Sequence, residues 1–155
     1  MSRPRELLKA ADIAAMQAEA RPHPLNPNAL RLRKSLGDAV GLGQLGVHLI
    51  EIPPGRDSSE YHRHLYEEEF VYVLQGQGRA LIDDVPHAVA AGDFLGFPRN
   101  GAAHVLTNTG DAPLLLLVAG QRLAQDICDY PHRHKRLYMH GEHGDLVDFD
   151  AIQPD

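Results

Sequence analysis

The feature that most constrains the fold is a succession of short apolar runs between Arg33 and Arg122. Strand-length segments follow one another at roughly ten-residue intervals, with Gly, Pro, Asp and Asn between them, which is typical of an all-β sandwich or barrel. The runs are LGVHLIEI, EFVYVLQG, GRALID, HAVAA, DFLGFP, AAHVLTNT and PLLLLVAG. No helix-length periodic segment separates them, which argues against a parallel α/β sheet.

The segments on either side of these runs differ in composition. Residues 6–20 are rich in Ala, Leu, Met and Glu and predict a short helix, whereas the three prolines of residues 21–30 predict an extended arm. After Arg122 the sequence is polar with scattered apolar anchors, which predicts an irregular tail that wraps the barrel. We therefore expect three parts: a helix and arm in residues 1–32, a barrel in residues 33–122 and a tail in residues 123–155.

Length, charge and cysteine content narrow the class of function. A chain of 155 residues is most simply one domain. Its 15 basic and 21 acidic residues give a formal charge of −6, which argues against nucleic acid or an anionic membrane as the main partner. The lone Cys128 cannot form an intrachain disulfide, and the N-terminal segment lacks the apolar stretch of a signal peptide, so we expect a cytoplasmic protein with a small-molecule ligand.

Two histidines lie two positions apart in the segment EYHRHLYEEEF, residues 60–70. In an extended backbone His62 and His64 project to the same side, and a nearby carboxylate can complete a cation site with them. A chance pair of exposed histidines in a charged loop accounts for this segment at least as well. Both interpretations stay open on these residues alone.

The residues around this segment, and a second cluster downstream, form a longer pattern. Gly55 and Gly76 frame the first cluster, and the segment GDFLGFPRNGAAHVLTN forms the second. Together they resemble the two motifs of the cupin superfamily, which run glycine, two alternating histidines, glutamate and glycine, then glycine, proline, glycine, histidine and asparagine. The match covers about residues 55–108. It departs from the usual spacing by one additional residue before His62 and by a second-motif glycine three positions after Pro98.

The resemblance implies both a fold and a set of metal ligands. The fold is a double-stranded β-helix, a small jelly-roll-like antiparallel barrel, and the ligands are His62, His64, Glu69 and His104. Three imidazoles and a carboxylate suit Fe(II), Mn(II), Ni(II), Zn(II) or Co(II) and are too rich in nitrogen for Mg or Ca. On an octahedral ion this ligand set leaves positions open for water or substrate, whereas four ligands on zinc would indicate a structural site.

Strand parity favours Glu69 over its two neighbours as the carboxylate ligand. In the run EFVYVLQG, Glu69 begins the stripe that Val71 and Val73 continue. We expect Glu67 and Glu68 to be solvated, and Glu68 has the opposite parity. The other face of this run is also apolar, which predicts a strand packed on both sides.

Three further residues are candidates for substrate binding: Tyr61, Tyr72 and His48. Packing accounts for the two tyrosines as well, and His48 shares strand parity with Ile50 and Ile52, as a histidine of the barrel wall would. Four histidines of the tail have no assigned role: His132, His134, His140 and His143. The first two repeat the His-x-His spacing without a following acidic strand, so we do not expect them to bind metal.

Three functional hypotheses follow. The first is a metal-dependent enzyme of oxygenase, isomerase or lyase type that acts on a small polar molecule, since one barrel supports many activities. The second is a binding or regulatory module that senses a small ligand without converting it. The third is a structural metal that only ties strands together. We also expect a homodimer, because an extended arm beside an open sheet edge can pair with a second copy.

Overall fold

The computed structural model describes residues 5–155 and has a mainly β architecture, as the sequence predicts. The N-terminal part therefore begins at Arg5, and residues 1–4 of the predicted helix-and-arm segment lie outside the described chain. The elements are α1 (Ala10–Ala15), β1 (Glu19–His23), β2 (Asn26–Ser35), α2 (Leu36–Val40), β3 (Leu45–Ile52), β4 (Arg63–His64), β5 (Glu69–Gln75), β6 (Gln77–Ile82), β7 (Val85–Ala90), β8 (Phe94–Phe97), β9 (His104–Thr107), β10 (Leu114–Gln121), β11 (Gln125–Tyr130), β12 (Lys135–His140) and β13 (His143–Asp148).

The strands form three antiparallel sheets. The largest has the order β1-β2-β3-β10-β5-β8, a second has the order β13-β12-β11-β4, and the third has the order β7-β6-β9. The ladders among residues 5–155 do not close into one continuous barrel, so the predicted barrel is wrong in that respect. The arrangement is that of a jelly roll, with the β3-β10-β5 part of the large sheet facing the three-stranded sheet.

The hydrophobic core fills the space between these two sheets. The large sheet contributes the inward residues of β3, β5, β8 and β10, and the three-stranded sheet contributes one inward residue from each of its strands. The core residues are Ile50, Ile52, Val71, Val73, Leu95, Phe97, Leu114 and Leu116 on one side and Ala80, Val89 and Leu106 on the other. The apolar stripe predicted for β5 is therefore buried.

The opposite face of β5 differs from the prediction. Tyr72 and Leu74 are 39% and 41% exposed, so this strand is packed on one side and not on both. The sheet is antiparallel, and antiparallel sheets tolerate one solvated face. Alternation alone could not distinguish an apolar outer face from a second packed layer.

The N-terminal arm is a strand pair of the same chain. β1 and β2 form an antiparallel hairpin, and β2 continues into the large sheet by pairing with β3. The register sets Arg33 opposite Ile50 and Ser35 opposite His48. Because the arm pairs with its own sheet, it gives no argument for a partner strand, and the homodimer stays a prediction.

The C-terminal segment is strand and not irregular tail, which corrects the sequence prediction. β11, β12 and β13 pair in order, and β11 also pairs with β4 through Cys128–His64 and Asp129–Arg63. β12 is mostly half-buried and β13 is mostly exposed, so neither strand requires the apolar alternation by which buried strands are recognised. Through β4 this sheet reaches the first histidine motif.

Two motif residues have structural roles. Gly76 has a φ of +92°, and a Cβ atom there would lie 2.7 Å from the Pro113 carbonyl oxygen, so only glycine fits. Asn108 is buried, and its Nδ2 donates to the carbonyl oxygens of Ile52 and Ala112 while its Oδ1 accepts from the Gly110 amide. Asn108 therefore stabilises the turn that follows β9.

No helix within residues 5–155 is long and apolar enough to cross a bilayer.

Candidate metal centre

Backbone pairing brings the histidines of the two motifs together. The His62 amide donates to the His104 carbonyl oxygen at 3.1 Å, and the His104 amide donates back to the His62 carbonyl oxygen at 2.8 Å. The two imidazole centroids are 4.7 Å apart. Phe97 of β8 stacks on the His104 ring at a centroid distance of 3.4 Å, which fixes the plane of that imidazole.

The carboxylate comes from the first residue of β5. Glu69 lies between Gly120 of β10 and Phe97 of β8 in the ladder. Its Oε1 is 2.6 Å from His104 Nε2 and 3.7 Å from His62 Nε2. Ligand atoms of His62, Glu69 and His104 all lie within 4.8 Å of one another, close enough to share one ion.

The fourth predicted ligand lies next to this group. The His64 ring centroid is 5.1 Å from that of His62, and its Nδ1 is 2.6 Å from Asp126 Oδ2. His64 groups with Glu67 and Asp126 as a second set of three ligand-bearing side chains. The structure therefore brings three of the four predicted ligands into one cluster and sets His64 at its border.

Each of the three histidines is held through its Nδ1 atom, which contacts an oxygen atom of the protein. His62 Nδ1 is 2.8 Å from the Glu60 carbonyl oxygen, His104 Nδ1 is 3.3 Å from the Ala102 carbonyl oxygen, and His64 Nδ1 contacts Asp126. With Nδ1 donating in each case, Nε2 is the nitrogen left to bind an ion, and metal-bound histidines are held by such second contacts. The donor set fits a divalent transition metal.

Asp126, which the sequence analysis missed, organises the whole first motif. Its Oδ2 contacts His64, and its Oδ1 accepts hydrogen bonds from the backbone amides of Tyr66 and Glu67 at 3.1 and 3.3 Å. It lies on β11 and is buried. No spacing rule connects it to His64 along the chain, so only the pairing of β4 with β11 reveals it.

Burial and ion pairing move the pKa values of these groups in different directions. Burial alone would raise the pKa of Glu69, but hydrogen bonds to His104 and His62 outweigh it and hold that pKa well below its usual range. Burial lowers the pKa of His62. Burial also opposes protonation of His64, yet its contact with Asp126 and the charge of Glu69 raise the pKa. A carboxylate and a neutral His62 are the forms that bind metal.

A cavity of about 340 Å³ opens from this cluster. It lies within the size range of small-molecule sites. Its walls include three carboxylates and one arginine: Glu67, Glu69, Asp126 and Arg31. The expectation that Glu67 is solvated is wrong, since its side chain is 23% exposed and its Oε1 accepts a hydrogen bond from the Leu123 amide. Glu68 is exposed, as expected.

The three candidate substrate-binding residues lie outside the lining of this cavity. Tyr61 is buried, its hydroxyl accepts a hydrogen bond from the Asp84 amide, and its ring stacks on His132. Tyr72 faces outward on β5. His48 lines a smaller adjoining pocket.

The tail histidines lie apart from the cavity. His132 Nε2 contacts Asp84 Oδ1 at 2.7 Å, and His140 Nε2 contacts Asp145 Oδ2 at 3.0 Å. Across the described chain, no group of three metal-ligating side chains includes any of His132, His134, His140 and His143. The candidate metal centre therefore lies at the two motifs and not among the tail histidines.

Comparisons with known proteins agree with this geometry. The family model for the cupin domain matches residues 48–120. The curated protein SchB of Streptomyces halstedii is 41% identical over 75 residues, which are 48% of this chain, and the match spans about half, 51%, of SchB.

Two solved structures match almost the whole chain. One, from Acidithiobacillus ferrooxidans and provisionally described as a sugar phosphate isomerase, is 51% identical over 97% of this chain and 96% of that chain, with a TM-score of 0.95. The other, a sugar phosphate isomerase of the cupin superfamily from Silicibacter pomeroyi, is 30% identical over 94% of each chain, with a TM-score of 0.79. With the motifs, the fold and these relatives in agreement, the chain belongs to the cupin superfamily.

Proposed function

We propose that this protein is a metal-dependent isomerase that acts on a small phosphorylated sugar. The observation that carries the proposal is one cavity in which a metal-ligand cluster, a further carboxylate and an arginine meet. The two full-length relatives described as sugar phosphate isomerases support the same class of reaction.

His62, His64, Glu69 and His104 would hold the ion. A divalent metal bound there supplies Lewis-acid polarisation of a substrate oxygen. His62 and His104 present Nε2 because their Nδ1 atoms contact backbone carbonyl oxygens, and Asp126 does the same for His64. The protein thus holds its ligands in place before any ion binds, which reduces the cost of ordering the site.

Glu67 is the residue we assign to proton transfer. Of the three carboxylates in the cavity wall, Glu69 contacts His104 and His62, and Asp126 contacts His64. Glu67 is left, with Oε1 held by the Leu123 amide and Oε2 3.9 Å from His64 Nδ1. In an aldose–ketose conversion Glu67 Oε2 takes the proton from the carbon next to the carbonyl and returns it to the former carbonyl carbon. A second proton passes between the two oxygens, and no oxidant or reductant is consumed.

Proton nuclear magnetic resonance in D₂O tests this function directly. Purified protein is loaded in turn with Mn(II), Fe(II), Ni(II), Zn(II) and Co(II) and incubated with a panel of aldose and ketose phosphates. We expect interconversion of one aldose–ketose pair, with deuterium at the carbon that exchanges its proton. Glu67→Gln keeps the metal content and loses turnover, with a loss of about 100-fold or more for a general base.

Two results would contradict the proposal. One is a substrate that is not isomerised but reacts with consumption of dioxygen or with release of carbon dioxide, which would favour oxygenase or lyase chemistry. The other is tight binding of a metabolite that is recovered unchanged and undeuterated, which would favour a sensor. Glu6→Gln is the control, since that carboxylate is exposed and lines neither the metal cavity nor the pocket beside it, so its loss leaves turnover unchanged.

A further inference from the structure

Three buried side-chain nitrogens on neighbouring strands have no hydrogen-bond partner. They are Nε of Arg31 and Nε of Arg33, both on β2, and Nδ1 of His48 on β3. Buried polar atoms of folded proteins are nearly always bonded, so a cluster of unsatisfied nitrogens requires an explanation. The β2–β3 register and the alternation of side chains put all three on the inner face of the large sheet.

These side chains line a second pocket of about 190 Å³ beside the metal cavity. Arg122, which follows β10, completes its basic wall. The second pocket and the metal cavity share Arg31 and Glu69 in their linings, so the two spaces adjoin at the metal cluster. A molecule held at the cluster can therefore extend one end into the basic pocket.

The arginines of this pocket keep free donors, although three glutamates, Glu67, Glu68 and Glu69, also line it. Within residues 5–155, the Arg31 guanidinium makes no hydrogen bond or ion pair. Arg33 uses Nη2 for Glu19 at 3.0 Å, and Arg122 uses Nη1 for Asp38 at 2.6 Å, so each retains further donors. Glu69, whose charge acts on Arg31, is committed to the metal cluster, and Glu67 accepts a hydrogen bond from the Leu123 amide.

Two glycines make room for a ligand at this point. Gly46 and Gly120 are paired in the ladder, and Gly120 is paired with Glu69 on its other side. A Cβ atom on Gly46 would lie 3.2 Å from His48 Nε2 and 3.3 Å from Arg122 Nε. A side chain there would narrow the pocket between the two basic groups, so the pocket depends on glycine at this position.

We propose that this pocket binds the phosphate group of the substrate, with Arg31 as its central ligand and Arg33, Arg122 and His48 around it. The inference rests on the proposed function for the identity of the substrate, but phosphate binding itself does not require turnover. A guanidinium group can donate two parallel hydrogen bonds to phosphate oxygens. Several guanidinium groups together suit the double negative charge of phosphate better than the single negative charge of a carboxylate ligand. Phosphate would also satisfy donors that the folded chain leaves without partners.

Isothermal titration of the metal-loaded protein with inorganic phosphate tests the pocket without the reaction. We expect saturable binding by the unchanged protein. Arg31→Met keeps an unbranched apolar stem and removes the charged guanidinium, and it should weaken phosphate binding roughly tenfold or more, since one charged hydrogen bond accounts for about that factor. Metal content should stay the same, because Arg31 does not contact the ligand cluster.

Two further variants keep the test decisive. Gly46→Ala retains every charge and narrows the pocket, so it should also weaken phosphate binding if Arg31→Met proves poorly folded. Arg79→Met is the control, because this arginine of β6 is exposed and lines neither the metal cavity nor the basic pocket, and its loss should leave phosphate affinity unchanged.

The outcomes separate the two proposals. If Arg31→Met and Gly46→Ala both leave the phosphate affinity unchanged, phosphate binds to the metal or elsewhere. That result would overturn the proposed phosphate pocket, whatever the isomerase assay gives. Phosphate binding that depends on Arg31, in a protein that isomerises no sugar phosphate, would support the pocket and overturn the proposed function alone.

Discussion

The candidate metal centre draws on two regions of the chain that place their side chains in different ways. The cupin-matched region, residues 48–120, positions His62, Glu69 and His104 through its own backbone pairing. The C-terminal sheet, β11 to β13, contributes no member of that cluster but holds His64 through Asp126. One region supplies ligands and the other fixes the orientation of one of them, so the two should fail differently when altered.

The largest effect should come from the core of the cupin-matched region. Leu116 of β10 is 1% exposed, whereas Leu146 of β13 is 46% exposed. Leu116→Ala should lower the free energy of unfolding by about 2–5 kcal/mol, the range for a buried leucine that leaves a cavity. Leu146→Ala should change it by less than about 0.5 kcal/mol.

Urea denaturation of both variants measures this contrast. Equal losses for Leu116→Ala and Leu146→Ala would show that the C-terminal sheet is as much a part of the core as the cupin-matched region. The comparison of the two regions would then fail at the level of stability.

Loss of a ligand should come next. Glu69→Gln removes the one carboxylate of the cluster and keeps its shape, so metal affinity should fall by more than about 100-fold, beyond the loss expected for a residue that only supports a ligand. Competition with a chelator measures the affinity. Retention of full metal affinity by Glu69→Gln would shift the ion to the His64, Glu67 and Asp126 group, which the C-terminal sheet completes.

Loss of ligand support should have a smaller effect. Asp126→Asn keeps a side chain of the same shape next to His64 but weakens the contact, so metal affinity should fall about 10- to 100-fold. Asp145→Asn is the control, since Asp145 contacts His140 in the same sheet but is exposed and distant from the cluster. An affinity loss equal to that of Glu69→Gln would make Asp126 a ligand and not a support.

The same division explains what the sequence could and could not predict. Strand pattern and the two motifs predicted β3, the burial of Val71 and Val73, and the approach of His62, Glu69 and His104 to one another, because these depend on local alternation and on short loops. Asp126 lies 62 positions from His64 and meets it only after β4 pairs with β11. Its strand, β11, was missed although it is largely buried, because two of its buried residues, Asp126 and Asp129, are acidic and interrupt the apolar pattern.

Arg31 was missed for a related reason. The three prolines around residues 21–30 predicted an arm outside the sheet, and a residue of such an arm has no expected place at a site. The hairpin instead joins the large sheet through β2, with its alternate side chains facing inward. Proline at the outer strands of a sheet is tolerated because no further strand needs its missing amide, so the prolines did not exclude a strand.

The smallest effect concerns acid sensitivity, in which two histidines of the cupin-matched region should differ in sign, because only His64 contacts the C-terminal sheet. Burial, together with the charges of Arg33 and Arg122, lowers the pKa of His48 to about 4, whereas contact with Asp126 contributes to raising the pKa of His64. Asp38 opposes the shift of His48 and Arg31 adds to it. The unfolded chain binds a proton at His48 near pH 6.5, and the folded chain does so only near pH 4. Acid therefore favours unfolding between these two values.

The free energy of unfolding of the metal-free protein should fall as the pH drops from 6.5 towards 4, and His48→Gln should flatten part of that slope. One proton limits the contribution to about 1.4 kcal/mol per pH unit, and solvent at the partly exposed ring reduces it further. Above pH 6.5 the difference between variant and unchanged protein should be constant.

Because His64 has a raised pKa, its interactions stabilise the fold below pH 6.5 and are lost as the pH rises, so it cannot produce this acid slope. A difference that stays constant down to pH 4.5 would mean that His48 titrates normally and is open to solvent, which would remove the buried basic wall from the pocket beside Glu69.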